Sequence, residues 1–112
     1  MALGNVSSVP HIADPEVTMA WYLVEIRYVQ EKLAEVRPRH REFLQDLAAQ
    51  GRVAIAGPFG DGTGGLVLYQ ADDEAALTAL IDQDPYHLEG VIVERTVREF
   101  KPLIGAWVPE AD

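Results

Sequence analysis

The order of strand-like and helix-like segments is the feature that most constrains the fold of this chain of 112 residues. Four segments rich in apolar, aromatic and β-branched residues predict strands, at 19–28, 53–59, 66–70 and 91–100. Two segments with helical periodicity separate them, at 31–50 and 74–83. The order β-α-β-β-α-β predicts a ferredoxin-like α+β fold, an antiparallel sheet with two helices on one face.

Prolines and glycines set the expected ends of these segments. Pro38 divides the first helical segment, and proline suits a first helical turn, so the main helix is expected to begin near Arg37 and Pro38. Gly51 predicts its end. Asp72 or Asp73 can cap the second helix, and Pro85 is expected to stop it. The glycine-rich stretch 60–65 predicts a hairpin loop.

The predicted strands are apolar on both faces over part of their length. Residues 20–24, 53–56 and 66–69 do not alternate with polar residues, although the chain has only enough helix to cover one face. A homodimer that packs sheet against sheet would bury the second face. Small alanines and a docked C-terminal tail are the alternative.

Composition and charge exclude several classes of protein. The net charge is −9 with only nine basic residues, which argues against a nucleic-acid partner. The absence of cysteine excludes disulfides and thiol chemistry. No apolar run is long enough to span a bilayer and no signal-peptide pattern is present, so a cytoplasmic protein with no membrane partner is expected. Residues 1–18 are predicted to be a flexible extension, 19–102 the domain and 103–112 a tail.

Two titratable residues fall on the apolar stripes of the predicted helices. In the first helix the stripe contains a histidine in the expected first turn, where the helix dipole would favour the neutral ring; its members are His40, Phe43, Leu44 and Leu47. In the second helix the position after the stripe Leu77, Leu80 and Ile81 is Asp84. An inward acid at a helix C-terminus requires a compensating partner, for which His40 and Arg37 are the candidates. A satisfied structural histidine and a simple Asp-Pro-Tyr turn are the alternatives.

No motif implies a cofactor. His40, Asp84 and His87 form a two-histidine, one-carboxylate set by composition, but their spacing does not demand a metal, and none is expected. The stretch GPFGDGTGG lacks the Gly-Lys-Ser/Thr ending of a phosphate loop and joins two strands.

Three segments in this order and spacing resemble the YCII-related (YciI-like) family over 19–102: RPRHREFLQDLAAQGRVAIAGPF, GGLVLYQ and DPYHLEGVIVERTVREF. The resemblance implies a dimeric α/β barrel of two ferredoxin-like subunits. It also implies a His–Asp pair in a small cleft, which falls on His40 and Asp84. Few members have an assigned activity, notably dehydrochlorination of chlorinated hydroxylated aromatics. The sequence departs from the family at 1–18 and at His87, where an apolar residue is usual.

Two hypotheses for the function follow. In the first, the chain is a small-molecule enzyme in which His40 is the general acid or base and Asp84 orients it. Arg37 would hold an anionic or phenolic oxygen, and the pocket would be completed by Gly57, Pro58, Tyr86 and His87. In the second, the chain is a non-catalytic ligand-binding or accessory homodimer, and the His–Asp pair is structural.

Overall fold

The computed structural model describes residues 20–108, and the predicted ferredoxin-like fold is confirmed. In chain order the elements are β1 (Ala20–Tyr28), α1 (Gln30–Ala49), β2 (Val53–Pro58), β3 (Gly64–Ala71), α2 (Glu74–Ile81), α3 (Pro85–Leu88) and β4 (Ile92–Phe100). The four strands form one antiparallel sheet in the order β2-β3-β1-β4. The expected strand start at Met19, the N-terminal extension 1–18 and the end of the tail at 109–112 lie outside the described residues.

Helix α1 is longer than predicted, because Pro38 lies inside it and not at its start. The expected start near Arg37 was therefore wrong. Proline inside a helix costs about 3 kcal/mol, since it removes one backbone hydrogen bond and crowds the preceding turn. Pro38 is exposed, so water can reach the carbonyl it leaves unpaired. The turns before it bury Leu33 and Val36, and each burial contributes about 1.5–3 kcal/mol, enough together to offset the proline.

The second helical segment is two helices, not one. Helix α2 ends at Ile81 with Asp82 as its C-cap, and a separate short helix, α3, begins at Pro85. Proline at the first position of a helix has the required φ angle and lacks only an N–H that would be unpaired there. Pro85 therefore starts a helix here, whereas the sequence interpretation treated it only as a stop. Of the two expected caps of α2, Asp73 is the one used, accepting from the Ala76 N–H at 2.8 Å.

One hydrophobic core lies between the helices and one face of the sheet. Each central strand contributes alternate residues to it, as the period of two requires. The buried side of α1 repeats every three or four residues and comprises Leu33, Val36, His40, Leu44 and Leu47. The core therefore extends along the whole length of α1, and His40 is its one polar member on that helix.

The opposite face of the sheet is apolar over part of its area, and charged residues such as Glu25 and Arg98 occupy another part. Residues paired across neighbouring strands share a face, so Leu23, Leu68 and Ile55 lie side by side on it, as do Trp21 and Phe100. Ile55 and Phe100 are each 45% exposed. The two-sided apolar character predicted for the strands is thus present in the folded chain.

The β2–β3 connection is the predicted hairpin loop. Phe59 donates its N–H to the carbonyl of Gly64, and Gly62 adopts a φ of 76°, which favours glycine. The Asp61 side chain accepts from both the backbone and the hydroxyl of Thr63. The loop is therefore stabilised by its own turn contacts.

Candidate active site

Asp84 is the N-cap of α3, and this explains the acid that the sequence places before Pro85. Its Oδ1 accepts the Tyr86 backbone N–H at 2.9 Å, and the residue is 2% exposed. A carboxylate at a helix N-terminus is stabilised by the unpaired N–H groups of the first turn. The expectation that Asp84 lies at a helix C-terminus was wrong, because α2 ends at Ile81 and Asp84 precedes α3.

His40 lies near the middle of α1 and contacts Asp84 directly. The Nδ1 atom of His40 is 2.8 Å from Oδ1 and 3.1 Å from Oδ2 of Asp84, across 44 residues of sequence. An ionised carboxylate only accepts hydrogen bonds, so Nδ1 carries a proton and donates it. In the neutral ring, Nε2 is then the atom with the free lone pair. The predicted role of a helix N-terminus does not apply, because α1 begins ten residues earlier, at Gln30.

The ring of Tyr86 stacks on the imidazole of His40. Their centroids are 3.6 Å apart and their planes differ by 6°. Tyr28 meets Tyr86 edge to face, with centroids 5.4 Å apart and planes at 67°. Since Asp84 holds one edge of the imidazole and Tyr86 covers one face, the ring has one orientation.

A cavity of about 470 Å³ opens beside this pair, between α1 and the β2–β3 side of the sheet. His40 and Tyr86 both line it. Within residues 20–108, every fully buried side-chain nitrogen or oxygen has a hydrogen-bond partner. The Nε2 atom of His40 has no partner among these residues, so it retains contact with solvent. His40 therefore lines the cavity with its Nε2 atom unengaged by any described residue.

Most of the predicted pocket residues line the same cavity. Arg37, Gly57, Pro58 and Tyr86 are on its wall together with His40. His87 is not on the wall: its Nε2 lies 3.4 Å from Oδ1 of Asp82, at the surface. The structure thus brings all the predicted site residues together except His87, which pairs with Asp82 at the surface. Asp84 contacts His40 but does not itself line the cavity.

Two further cavity residues, Tyr28 and Arg41, were not singled out by the sequence interpretation. The signals were present, because Arg41 is one helical turn after Arg37, and Tyr28 follows Ile26 at the strand period of two. These signals alone could not identify Tyr28 and Arg41 as site residues, since neither period shows which face of a helix or strand borders a cavity.

The charge of Asp84 also influences a buried tyrosine of the core. Burial, above all, raises the pKa of Tyr69, and the negative charge of Asp84 raises it further, while Arg95 opposes the rise. At the cavity, burial is likewise the main cause of the raised pKa of Tyr28.

Other kinds of site find no support in the part of the chain from 20 to 108. No three histidine, aspartate or glutamate side chains of these residues converge as metal ligands would, and His87 in particular is turned from His40 and Asp84. Over the same residues, no helix has both the length and the apolar character needed to cross a bilayer.

Comparison with known proteins identifies a family and a fold. The YCII-related domain matches residues 17–101. The uncharacterised protein YjpA of Bacillus subtilis (strain 168) is 37% identical over 62 residues, which cover 55% of this chain and 72% of YjpA.

Among solved structures, 5-chloro-2-hydroxyhydroquinone dehydrochlorinase of Burkholderia phenoliruptrix AC1100, in complex with 2,5-dihydroxybenzoquinone, is similar with a TM-score of 0.64 and 17% identity. The match covers 72% of this chain and 93% of the dehydrochlorinase. A putative antibiotic biosynthesis monooxygenase of Bacteriodes thetaiotaomicron VPI-5482 is similar with a TM-score of 0.57 and 20% identity, over 79% and 92% of the two chains. At these identities the likeness is one of fold.

Proposed function

The chain belongs to the YCII-related family, and we propose that it is a small-molecule enzyme in which His40 and Asp84 perform acid–base chemistry. The observation that carries the proposal is the 2.8 Å contact between His40 Nδ1 and Asp84 at the wall of an open cavity. A histidine oriented by a carboxylate, with its second nitrogen free, is the arrangement that general acid–base catalysis requires.

The proposed reaction begins when Nε2 of His40 takes a proton from a substrate C–H or O–H bond. The electron pair of that bond forms a new double bond within the substrate. In an elimination, a leaving group such as chloride departs with its own electron pair, and His40 then passes its proton to water. In an isomerisation, His40 returns the proton to a different substrate atom. Asp84 keeps Nδ1 protonated and stabilises the imidazolium that forms.

Arg37 and Tyr86 have distinct roles in this proposal. Arg37, on the cavity wall, would hold an anionic or phenolic oxygen of the substrate. Tyr86 keeps the imidazole in place by stacking on it. The volume of about 470 Å³ suits one small cyclic substrate. The dehydrochlorinase with a similar fold acts on a chlorinated hydroquinone, which makes elimination the first reaction to test.

The test uses two probe reactions and two pairs of matched variants. Chloride release from 5-chloro-2-hydroxyhydroquinone measures elimination, and exchange of cyclohexanone protons in deuterium oxide measures proton abstraction. His40→Gln and Asp84→Asn keep polar groups of similar size at the site. His87→Gln and Asp82→Asn make the same changes in the surface pair, outside the cavity.

The His40→Gln variant is expected to lose about 10²–10⁴ in rate, and Asp84→Asn to lose nearly as much, while both surface variants keep the wild-type rate. Melting curves accompany the rates, because the alternative is a non-catalytic binding protein with a structural His–Asp pair. Wild-type rates in His40→Gln would contradict the proposal. Inert wild-type protein, together with a large loss of stability in both site variants, would support the alternative.

A homodimer is the second part of the proposal. Ile55 and Phe100 stay 45% exposed on the sheet face that the helices leave uncovered. A second copy packed on this face would bury them, and stable interfaces of this kind bury about 1,200–2,000 Å² in total. Light scattering should give the mass of a dimer for the wild type and of a monomer for Phe100→Glu. Leu88→Glu, at an exposed apolar residue of α3, is the control and should stay dimeric.

A further inference from the structure

Two arginines on the cavity wall have no acidic partner among the described residues. Arg37 and Arg41 are one helical turn apart on α1, and both line the cavity. Neither forms an ion pair within residues 20–108, a range that holds all nine basic residues of the chain. By contrast, four other arginines each contact a carboxylate, namely Arg27, Arg39, Arg95 and Arg98. Arg37 and Arg41 are therefore two neighbouring positive charges at the cavity that pair with no acid of the described residues.

The sequence around these two arginines keeps acids away from them. The positions three and four residues before and after each of them hold no Asp or Glu, although the chain has eighteen acids. Arg39, between them on another side of the helix, has Glu35 and Glu42 at these spacings. Like charges four residues apart on a helix destabilise it slightly. Among residues 20–108, an acidic protein thus leaves two neighbouring cations without an ion-pair partner beside the candidate site.

The hydroxyl of Tyr28 lies on the same wall, and Gly65 makes room for it. A Cβ atom at position 65 would come within 2.6 Å of the Tyr28 hydroxyl and 2.8 Å of the Gly57 carbonyl oxygen. The hydroxyl has no hydrogen-bond partner among residues 20–108 and is not fully buried, so it remains free to donate into the cavity. The positive charges of Arg37 and Arg41 act on this phenol, where they partly offset the rise in its pKa caused by burial.

We propose that Tyr28, Arg37 and Arg41 form an anion subsite that binds the carboxylate of a small planar substrate. The inference rests on the proposed function, whose reacting centre is His40, and it names the substrate class. A guanidinium binds a planar carboxylate through two parallel hydrogen bonds, and a carboxylate has about four acceptor positions for such donors. The two guanidinium groups and the phenol hydroxyl of this wall supply donors for these positions.

The helix places Arg37 and His40 within one turn of each other. Arg37 and His40 are three residues apart, which is roughly 4.5 Å along the helix axis. A carboxylate attached to a ring is separated from the other ring atoms by a similar distance. The substrate class is therefore a ring that carries a carboxylate a few atoms from the carbon or oxygen that loses its proton to His40.

The experiment compares the binding of benzoate with that of benzamide, which has a similar shape but no charge. Nuclear magnetic resonance titration of the folded, full-length protein measures both affinities. Wild-type protein is expected to bind benzoate at least roughly tenfold more tightly, the scale of one charge-assisted hydrogen bond. The double variant Arg37→Gln/Arg41→Gln should lose this preference, and Tyr28→Phe should reduce it.

A charge-matched control separates the subsite from the general effect of two lost positive charges. Arg52 and Lys101 are exposed, form no ion pair within the described range and do not line the cavity. The double variant Arg52→Gln/Lys101→Gln should keep the preference for benzoate. Equal binding of benzamide by the wild type would overturn the proposal, as would a preference that survives in Arg37→Gln/Arg41→Gln.

The failure of this proposal is distinguishable from the failure of the proposed function. The His40→Gln variant should still prefer benzoate, because binding of the carboxylate does not need the base. Benzoate recognition that depends on the arginines, in a protein that transforms no probe, would support the subsite and oppose the enzyme. Turnover that requires His40 but has the same KM in the arginine variants would support the enzyme and overturn the subsite.

Discussion

Among residues 20–108, two His–Asp pairs have acidic partners only two positions apart in sequence, yet the pairs differ in nearly every physical respect. His40 and Asp84 are 2.8 Å apart, with side chains only 10% and 3% exposed. His87 and Asp82 are 3.4 Å apart, with side chains 41% and 49% exposed. The composition of a pair therefore says little about its importance; burial and the neighbouring contacts decide it.

Two neighbours account for the difference. The buried carboxylate caps α3 as well as binding the imidazole, and an aromatic ring covers that imidazole. The surface carboxylate is shared between His87 and Arg95, in contact with water, where ion pairs contribute about 0–1 kcal/mol. Only the first pair is held in one geometry beside a cavity.

The largest expected effect comes from removing the ring that covers the buried pair. Tyr86→Ala should reduce the free energy of unfolding by about 3–5 kcal/mol, since Tyr86 is 1% exposed and fills the space beside His40. The adjacent change His87→Ala should alter it by less than about 0.5 kcal/mol. Urea denaturation measures both, and equal losses in the two variants would remove the distinction between the pairs.

A smaller effect is expected from removing the acids themselves. Asp84→Ala should cost about 2–4 kcal/mol, because it removes a helix cap and leaves a buried imidazole N–H without its acceptor. Asp82→Ala should cost about 0–1 kcal/mol. Thermal melts of the two variants under identical conditions test the comparison. A loss in Asp84→Ala no larger than in Asp82→Ala would show that the buried pair is not structurally important.

The smallest expected effect concerns stability at alkaline pH. It depends on the pKa of Tyr69, which responds to the charge of Asp84 and not to that of Asp82. The pKa of Tyr69 is raised above the ordinary 10.0, first by burial and then by the charge of Asp84. The raised pKa of Tyr69 contributes stability that is fully present below about pH 10, the pKa of tyrosine in the unfolded chain. That stability is lost as the pH rises toward the pKa of Tyr69 in the folded chain. Stability should therefore fall above about pH 10, by at most about 1.4 kcal/mol per pH unit for this tyrosine.

Three variants sharpen that expectation. Tyr69→Phe should weaken the decline at alkaline pH, although part of it will remain because burial also raises the pKa of Tyr22 and Tyr28. Asp84→Asn should lower the pKa of Tyr69, whereas Asp82→Asn should leave it unchanged. Tyrosinate absorbance during a pH titration measures the pKa, with Tyr69→Phe as the reference. The same response to both acids would mean that the buried charge has no special influence.

Local sequence patterns predicted the architecture well but misplaced two helix ends. The order of elements follows from the periods of two and 3.6 residues, which are visible within each short segment of the sequence. Pro38 and Pro85 were both misinterpreted, in opposite senses. Pro38 does not begin a helix because Leu33 and Val36 are buried before it, and Pro85 does begin one because Asp84 caps it.

The candidate site was only partly accessible to such patterns. His40 and Asp84 were singled out on apolar stripes, and His40 was one of two candidate partners for Asp84. The helix ends assumed for both residues were wrong, and the family resemblance was needed to choose His40 over Arg37. Tyr28 and Arg41 were not recognised, because their own segments do not indicate that they border the same cavity as Arg37.

The sequence by itself determined which segments become strands and helices, because each segment carries its own periodicity and end signals. The tertiary structure decided which polar groups meet. The contact between His40 and Asp84 joins residues 44 positions apart, and it exists because the core packs α1 against the turn that begins α3. The same packing turns Asp82 and His87 outward to water. No local pattern encodes that difference, since it depends on how separate elements are placed against each other.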